Sequence, residues 1–347
     1  LGSLAAWEIA AAIYMLIRFT AVGETIDWAN GFGGVIFMSI VGGFVLGVFD
    51  FLANIAINNS RFRARSFGSL IVLKVIALIA GTTVVILFSR FVAAWSGETP
   101  WNDVFPSFFE RLVDNRMLAA YLYVGVAAAV IAFVKQMSAL VGGRVLINLV
   151  TGKYYEPKDE ERIFMFLDLR ASTSHAERLG NNRFCRLVQD CFRDLTDSAI
   201  RHQVEIHKYV GDEAILTWKV KDGVTDNNCL EVFFDFRDSL EHKRAFYEKR
   251  YGMFPEFKAG ANVGTVTVLE IGVVKREIAY LSDVLNTAAR IEGMCNEYGQ
   301  DFLISGKLVE QLEKADGAEI YAFEGFGSIA LRGRQGEIPL FGVTRRE

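Results

Sequence analysis

Up to about residue 150 the chain is written in long apolar runs, and beyond it in shorter alternating and helical-period patterns. Four apolar stretches, Leu4–Val22, Gly33–Ile57, Phe67–Trp95 and Met117–Val141, approach or exceed the ~20 residues that a helix needs to cross a bilayer. The first carries Glu8 and Arg18 and is followed by no small-residue cleavage site, so it reads as a span and not as a secretory signal. Arg61, Arg63 and Arg65 lie between the second and third stretches, and Lys135, Arg144 and Lys153 lie at or after the end of the fourth. The other two loops are acidic, with Glu24 and Asp27 in one and Glu98, Asp103, Glu110 and Asp114 in the other; Arg111 and Arg116 are the only basic counterweights. Basic loops stay cytoplasmic, which predicts a multi-pass membrane protein with both termini inside. Glu8, Arg18, Asp50 and Lys74 fall in or near the spans. Charges there either pair with one another or snorkel near span ends, or mark a sensing site.

From residue 134 the pattern changes. Met137, Leu140, Val141 and Val145 suit one face of a short helix that Gly142-Gly143 weakens, with Pro157 and the charged run Lys158–Arg162 ending a linker. Ile163–Leu167 is an apolar strand ending at Asp168, and Ser172 and Thr173 can cap the helix that follows. Asn182–Ile200 is an amphipathic helix, with Phe184, Leu187, Val188, Cys191, Leu195 and Ile200 at helical spacing. Val204–Val210 and Ala214–Trp218 flank Gly211-Asp212 as a hairpin. Asp226–Tyr251 reads as one long helix, Phe257–Val268 as a strand, Leu269–Leu281 as a strand pair, and a helix capped by Ser282 or Asp283 runs to about Tyr298. The order β-α-β-β-α-β predicts a ferredoxin-like α+β layer. The expected architecture is a four-helix transmembrane domain (1–133), a cytoplasmic transducer helix and linker (134–161), and an α+β domain (162–347).

Composition sharpens this picture. Of 347 residues 52% are hydrophobic, and the excess lies before residue 150. A formal charge of -4 argues against non-specific nucleic-acid binding, which needs a basic face. Cys185, Cys191, Cys229 and Cys295 form no CxxC pair, so zinc or dithiol chemistry is not expected and the thiols read as reduced.

The candidate chemistry gathers at three places. Asp168 ends a strand and Asp212 tips a hairpin; if those strands are neighbours, two hard carboxylates suit Mg²⁺ or Mn²⁺ held together with substrate phosphates. Asp168 could equally cap a helix, and Gly-Asp is ordinary turn chemistry. The amides of Ala171, Ser172 and Thr173 open a helix, where phosphate is attracted. Asn286 and Arg290, four apart, share a helix face; they are either a polar surface stripe or part of a pocket wall, with Arg290 set among Ala288, Ala289 and Ile291.

Three blocks, FMFLDLRAST at 164–173, HKYVGDEAI at 207–215 and SDVLNTAARIE at 282–292, carry a resemblance. By their order and spacing, residues from about Arg162 to Val343 resemble the catalytic domain of class III nucleotidyl (adenylyl and guanylyl) cyclases. The resemblance implies that Asp168 and Asp212, helped by the Leu169 carbonyl, hold two Mg²⁺ or Mn²⁺ ions. It implies that Lys208 reads adenine, Asn286 orients the ribose, Arg290 stabilises the transition state, and Arg332 or Arg334 neutralises the terminal phosphates. It also implies a homodimer with shared sites and ATP as substrate. The sequence departs from the family pattern at three points. Ala279 stands where a second base-selecting Asp or Thr is usual, Ser282 where Gly is usual, and Ala171-Ser172 where Gly-Phe is common. Ala279 keeps GTP open as a substrate, whereas Lys208 favours ATP. A cyclase-like domain that only binds nucleotide in a membrane receptor is the alternative outside catalysis, and the resemblance names no ligand for the membrane half.

Overall fold

The computed structural model describes residues 2–21, 32–58, 67–95, 97, 100–112, 114–315, 318–330 and 337–346. It divides into two compact units, Leu1–Val141 and Gly142–Glu347.

The first unit is helical: α1 (Gly2–Ala21), α2 (Phe32–Asn58), α3 (Phe67–Trp95), α4 (Val104–Leu112) and α5 (Asn115–Val141). Trp7, Ala10, Leu78, Val124 and Ala128 form its core. Gly43 and Gly47 let α1 lie against α2: a Cβ at either would come within 3 Å of Glu8 or Leu4. Asp50 and Lys74 are buried, and Lys135 pairs with Asp50 at 2.5 Å. Among the described residues two helical segments, Gly68–Phe88 and Leu118–Val141, are long and apolar enough to cross a membrane. The apolar parts of α1 and α2 are shorter, Leu4–Tyr14 and Gly42–Ile55. The side chain of Arg18 and the loops 22–31 and 59–66 lie outside the described residues.

The second unit opens with α6 (Gly143–Val150), separated from α5 by Gly142 at φ 94, a backbone state that glycine adopts without a Cβ clash. Then follow β1 (Lys158–Leu169), α7 (Ser172–Leu179), α8 (Asn181–Arg201), β2 (Glu205–Val210), β3 (Glu213–Lys219), α9 (Val220–Val224), α10 (Asn228–His242), α11 (Arg244–Tyr251) and β4 (Phe257–Ile271). After β4 come β5 (Glu277–Leu281), α12 (Asp283–Gly293), β6 (Phe302–Ser305), α13 (Gly306–Glu313), β7 (Tyr321–Ala330) and β8 (Glu337–Arg345). The sheet order is β2-β3-β1-β4-β6-β8-β7, with β5 on β4. Its first four strands pair antiparallel, so β1 through β4 form the expected β-α-β-β-α-β core, which β5 to β8 extend.

Alternation along β1 divides the interior. Ile163, Met165, Leu167 and Leu169 face one core with Leu187, Cys191, Leu195, Leu230 and Phe233 of α8 and α10. Phe164 and Phe166 face another with Ile215, Val266, Val268 and Ala288, the last from α12.

Three local readings are corrected. The run Lys158–Arg162 is strand, not linker: β1 pairs with β4 from Lys158 onward, and Arg162 is buried in ion pairs with Glu160 and Glu205. The stretch 226–251 is not one helix; Asp226 and Asn227 take φ near +50, and the chain breaks again at Lys243. Helix α12 stops at Gly293, five residues before Tyr298, and Leu269–Ile271 continues β4 so that only Glu277–Leu281 is new strand.

Candidate active site

Asp168 is the penultimate residue of β1. Its register partners are Glu213 on β3 and Lys258 on β4. Opposed residues point to the same face of a sheet, so Glu213, Asp168 and Lys258 form a polar row on the face that α12 covers. Helix α12 sits close because Gly260 and Gly264 of β4 lie on this face: a Cβ at Gly260 would stand 2.1 Å from the Glu292 amide nitrogen, and one at Gly264 2.7 Å from Val284. Asn262, between them, donates to the Val284 carbonyl. That approach brings Glu292 to the row, where Lys258 Nζ lies 2.6 Å from Glu292 and 3.5 Å from Asp168.

Asp212 joins these acids from the hairpin tip. Val210 pairs with Glu213, which leaves Gly211 (φ 65) and Asp212 as a two-residue turn. Asp212 Oδ2 is buried and accepts no hydrogen bond. Burial, then Glu292 and Asp212, push the Asp168 carboxyl up to about 6. Burial, then Asp168, Glu292 and Asp212, push Glu213 up to about 7. Lys258 is raised despite its burial, chiefly by its close pairing with the Glu292 carboxylate.

The segment after β1 turns sharply. Ala171 takes the left-handed conformation (φ 52) and is the residue before α7, which no side chain caps. Ser172 and Thr173 are therefore the first residues of the helix and not its caps, and Asp168 is a member of the acidic row and not a helix cap. Leu169 is buried, with its side chain in the larger core.

A second group forms around β5. A bulge at His207 places Ile206 opposite Leu216 but Lys208 opposite Ile215. The extra residue thus turns Lys208 to the face of Ile215, away from the core that Ile206 joins. There Lys208 Nζ lies 3.3 Å from Glu277 Oε1 on β5. Ala279, two residues on, pairs with Leu269. Ser282 caps α12 by accepting from the Val284 amide, which fixes where the helix starts and so where Asn286 and Arg290 stand. Asn286 is exposed. Arg290 is half-buried, and its Nη1 is buried without a hydrogen-bond partner.

Of the residues singled out from the sequence, Asp168 and Asp212 thus fall in one group, Lys208 meets Glu277 two residues before Ala279 on β5, and Asn286 and Arg290 stand one turn apart on α12. Among the described residues no hydrogen bond or ion pair joins the groups directly. Arg332 and Arg334 lie outside the described residues. Glu213, Lys258, Glu292 and Glu277 escaped the sequence reading. For Lys258 the available signal was a charge interrupting an alternating strand that has Gly260 and Gly264 on the same face. Among the described residues no three His, Cys, Asp or Glu side chains are arranged to hold a metal ion by themselves.

The family described as adenylate and guanylate cyclase catalytic domain matches residues 154–343. Adenylate cyclase 2 of Rhizobium meliloti (strain 1021) is 34% identical over 227 residues, covering 65% of this chain and 62% of its own length. Adenylate cyclase 1 of the same organism is 24% identical over 190 residues, 53% of this chain and 28% of its own length. The solved structure of a bacterial light-regulated adenylyl cyclase superposes with TM-score 0.56 at 19% identity, covering 68% of each chain. The chain therefore spans less than two thirds of the length of the curated relatives it matches.

Proposed function

Since the chain belongs to the adenylate and guanylate cyclase catalytic-domain family, we propose that it is a membrane-anchored adenylate cyclase, converting ATP to 3′,5′-cyclic AMP and pyrophosphate at sites shared by two copies. The observation that carries this reading is a complementary pair of orphaned atoms. Asp212 Oδ2 is a buried acceptor with no donor, and Arg290 Nη1 a buried donor with no acceptor. Buried polar atoms left unmatched are costly, and a metal-bound triphosphate would satisfy both.

The acidic group fits a divalent cation. Asp168 and Asp212 offer hard oxygens with Glu213 and Glu292 nearby, against the charge of Lys258 alone, and a protein set too small to cage an ion suits one shared with phosphates. Two Mg²⁺ or Mn²⁺ ions held by Asp168, Asp212 and the Leu169 carbonyl would supply Lewis-acid charge for attack of the ribose 3′-oxygen on the α-phosphorus. The chain's own groups do the rest. The turn at Ala171 and the first amides of α7, at Ser172 and Thr173, receive phosphate oxygens. Asn286 holds the ribose, and Arg290 meets the charge that develops on the phosphorus oxygens. One of Arg332 and Arg334 meets the terminal phosphates. Lys208 donates to the adenine ring. Histidine takes no part: His202 is engaged with Asp235 at 2.6 Å and Asn228 at 3.1 Å, and His207 is set edge-on against Tyr280. The 3′-hydroxyl proton passes to water or to a substrate phosphate.

Each chain carries both residue groups once. A twofold dimer in which the acids of one chain face the Lys208–Asn286–Arg290 group of its partner gives two equivalent sites. The membrane half is proposed to anchor the pair through four spans with both termini cytoplasmic. Exposed Ile9, Phe44, Val72 and Leu122 on its helices support burial in lipid.

The test is formation of cyclic nucleotide by the purified chain from ATP and from GTP, each with Mg²⁺ and with Mn²⁺. Cyclic AMP from ATP, lost in Asp168→Ala and Asp212→Ala, is the expected result. Nucleotide binding without turnover would favour the receptor reading instead.

A further inference from the structure

Within the adenylate cyclase reading above, we propose that Glu277 is a base-selecting residue, accepting a hydrogen bond from the exocyclic amine of adenine while Lys208 donates to the ring nitrogen beside it. Ala279 carries only a methyl group, which can accept nothing from a base. A lysine alone is donor-only, so it cannot tell the amine of adenine from the carbonyl of guanine by complementarity. It needs an acceptor fixed at its side.

Glu277 is that acceptor. It lies two residues before Ala279 on β5, so both project to the same side of the strand, and its Oε1 is 3.3 Å from Lys208 Nζ. The bulge at His207 is what turns Lys208 to this side. Lys208 holds the Glu277 carboxyl below its ordinary range, so it stays ionised and acceptor-only at neutral pH. Lys275, largely exposed, stands 3.7 Å from the other oxygen. A carboxylate has about four lone-pair sites, so both lysines leave room for a third donor. Both side chains remain accessible to a ligand, Lys208 46% and Glu277 34% exposed.

The order of the pair decides the base. Adenine presents an amine donor at position 6 and an acceptor at N1, whereas guanine presents an acceptor at position 6 and a donor at N1. A carboxylate at position 6 beside an ammonium at N1 matches adenine and opposes guanine with an acceptor against an acceptor. Leaving such groups mismatched is what makes polar base recognition selective.

The experiment measures kcat/KM for ATP and for GTP in the full-length chain, in Glu277→Ala and in Glu277→Gln. Glu277→Ala should lower the ATP-to-GTP ratio by about tenfold or more, equivalent to ~1.4 kcal/mol of discrimination. Glu277→Gln, whose amide oxygen still accepts, should keep the ratio closer to that of the parent. A ratio unchanged in Glu277→Ala overturns the proposal, as does an equal loss with both nucleotides, which is what a merely structural ion pair would give. If the parent chain forms no cyclic AMP at all, the cyclase reading itself has failed, whereas an active parent with an indifferent Glu277 removes this inference alone.

Discussion

Asp212 is ordinary turn chemistry to which the proposed function adds a second role. In the turn it needs only to follow Gly211, and any turn-forming residue would serve. Its buried, unmatched oxygen is the feature on which the proposed cation site rests. Substituting alanine should abolish cyclase activity while leaving thermal unfolding of the metal-free protein unchanged or slightly raised, because a repelling carboxylate is removed. Comparing Tm in chelator with activity in Mn²⁺ checks both halves. Glu213 allows a sharper test of the same electrostatics. A carboxyl raised to about 7 favours the folded state while protonated, and that contribution is lost as pH rises from its unfolded value through the folded one. In chelator, Glu213→Gln should therefore be close to the parent in Tm at pH 5 and more stable than it at pH 8. A difference that shrank with rising pH would contradict the crowding of acids around Asp168.

At the scale of elements, the contact that matters most is α12 on β4. Gly260 and Gly264 remove two side chains from the strand so that the helix backbone can approach. Gly260→Ala cannot be absorbed by rotating a side chain, because its Cβ meets backbone. It should destabilise the domain by about 1–3 kcal/mol or more and lower activity by shifting Asn286 and Arg290, which circular dichroism and turnover together would detect. The start of the domain is fastened by charge. Arg162, fully buried, bridges Glu160 and Glu205 and lies over the Tyr280 ring at 4.9 Å. Arg144 of α6 reaches the same Glu205 at 3.0 Å. Breaking a buried pair by removing one partner leaves an uncompensated charge, so Arg162→Ala should cost about 3–5 kcal/mol, read from denaturant unfolding. Since Glu205 begins the strand that carries Lys208, this cluster also ties α6 to the β2–β3 hairpin.

For the whole molecule, the proposed sharing of each site between two copies makes a direct prediction. Asp212→Ala and Arg290→Ala should each be inactive alone. Mixed, they can form heterodimers in which one of the two sites keeps both of its halves, so part of the activity should return. Absence of rescue with dimerisation confirmed would mean that the site is not shared. The helical unit makes its own prediction: reporters fused at either terminus should both read cytoplasmic if all four helices cross the membrane.

The sequence alone carried the apolar–polar division near residue 150, the β-α-β-β-α-β core, and the placement of Asp168 at a strand end, Asp212 at a hairpin tip and Asn286 and Arg290 on one helix. These are local signals, since hydrophobic periodicity, turn chemistry and short motifs depend on neighbours in the chain. It did not carry the row Glu213–Asp168–Lys258, the cover of Glu292, or the meeting of Lys208 with Glu277 across 69 positions of chain. Those pairs depend on strand register, on a one-residue bulge and on two glycines that let a helix descend. Such features place residues remote in sequence within a few ångströms, and only the folded chain fixes them.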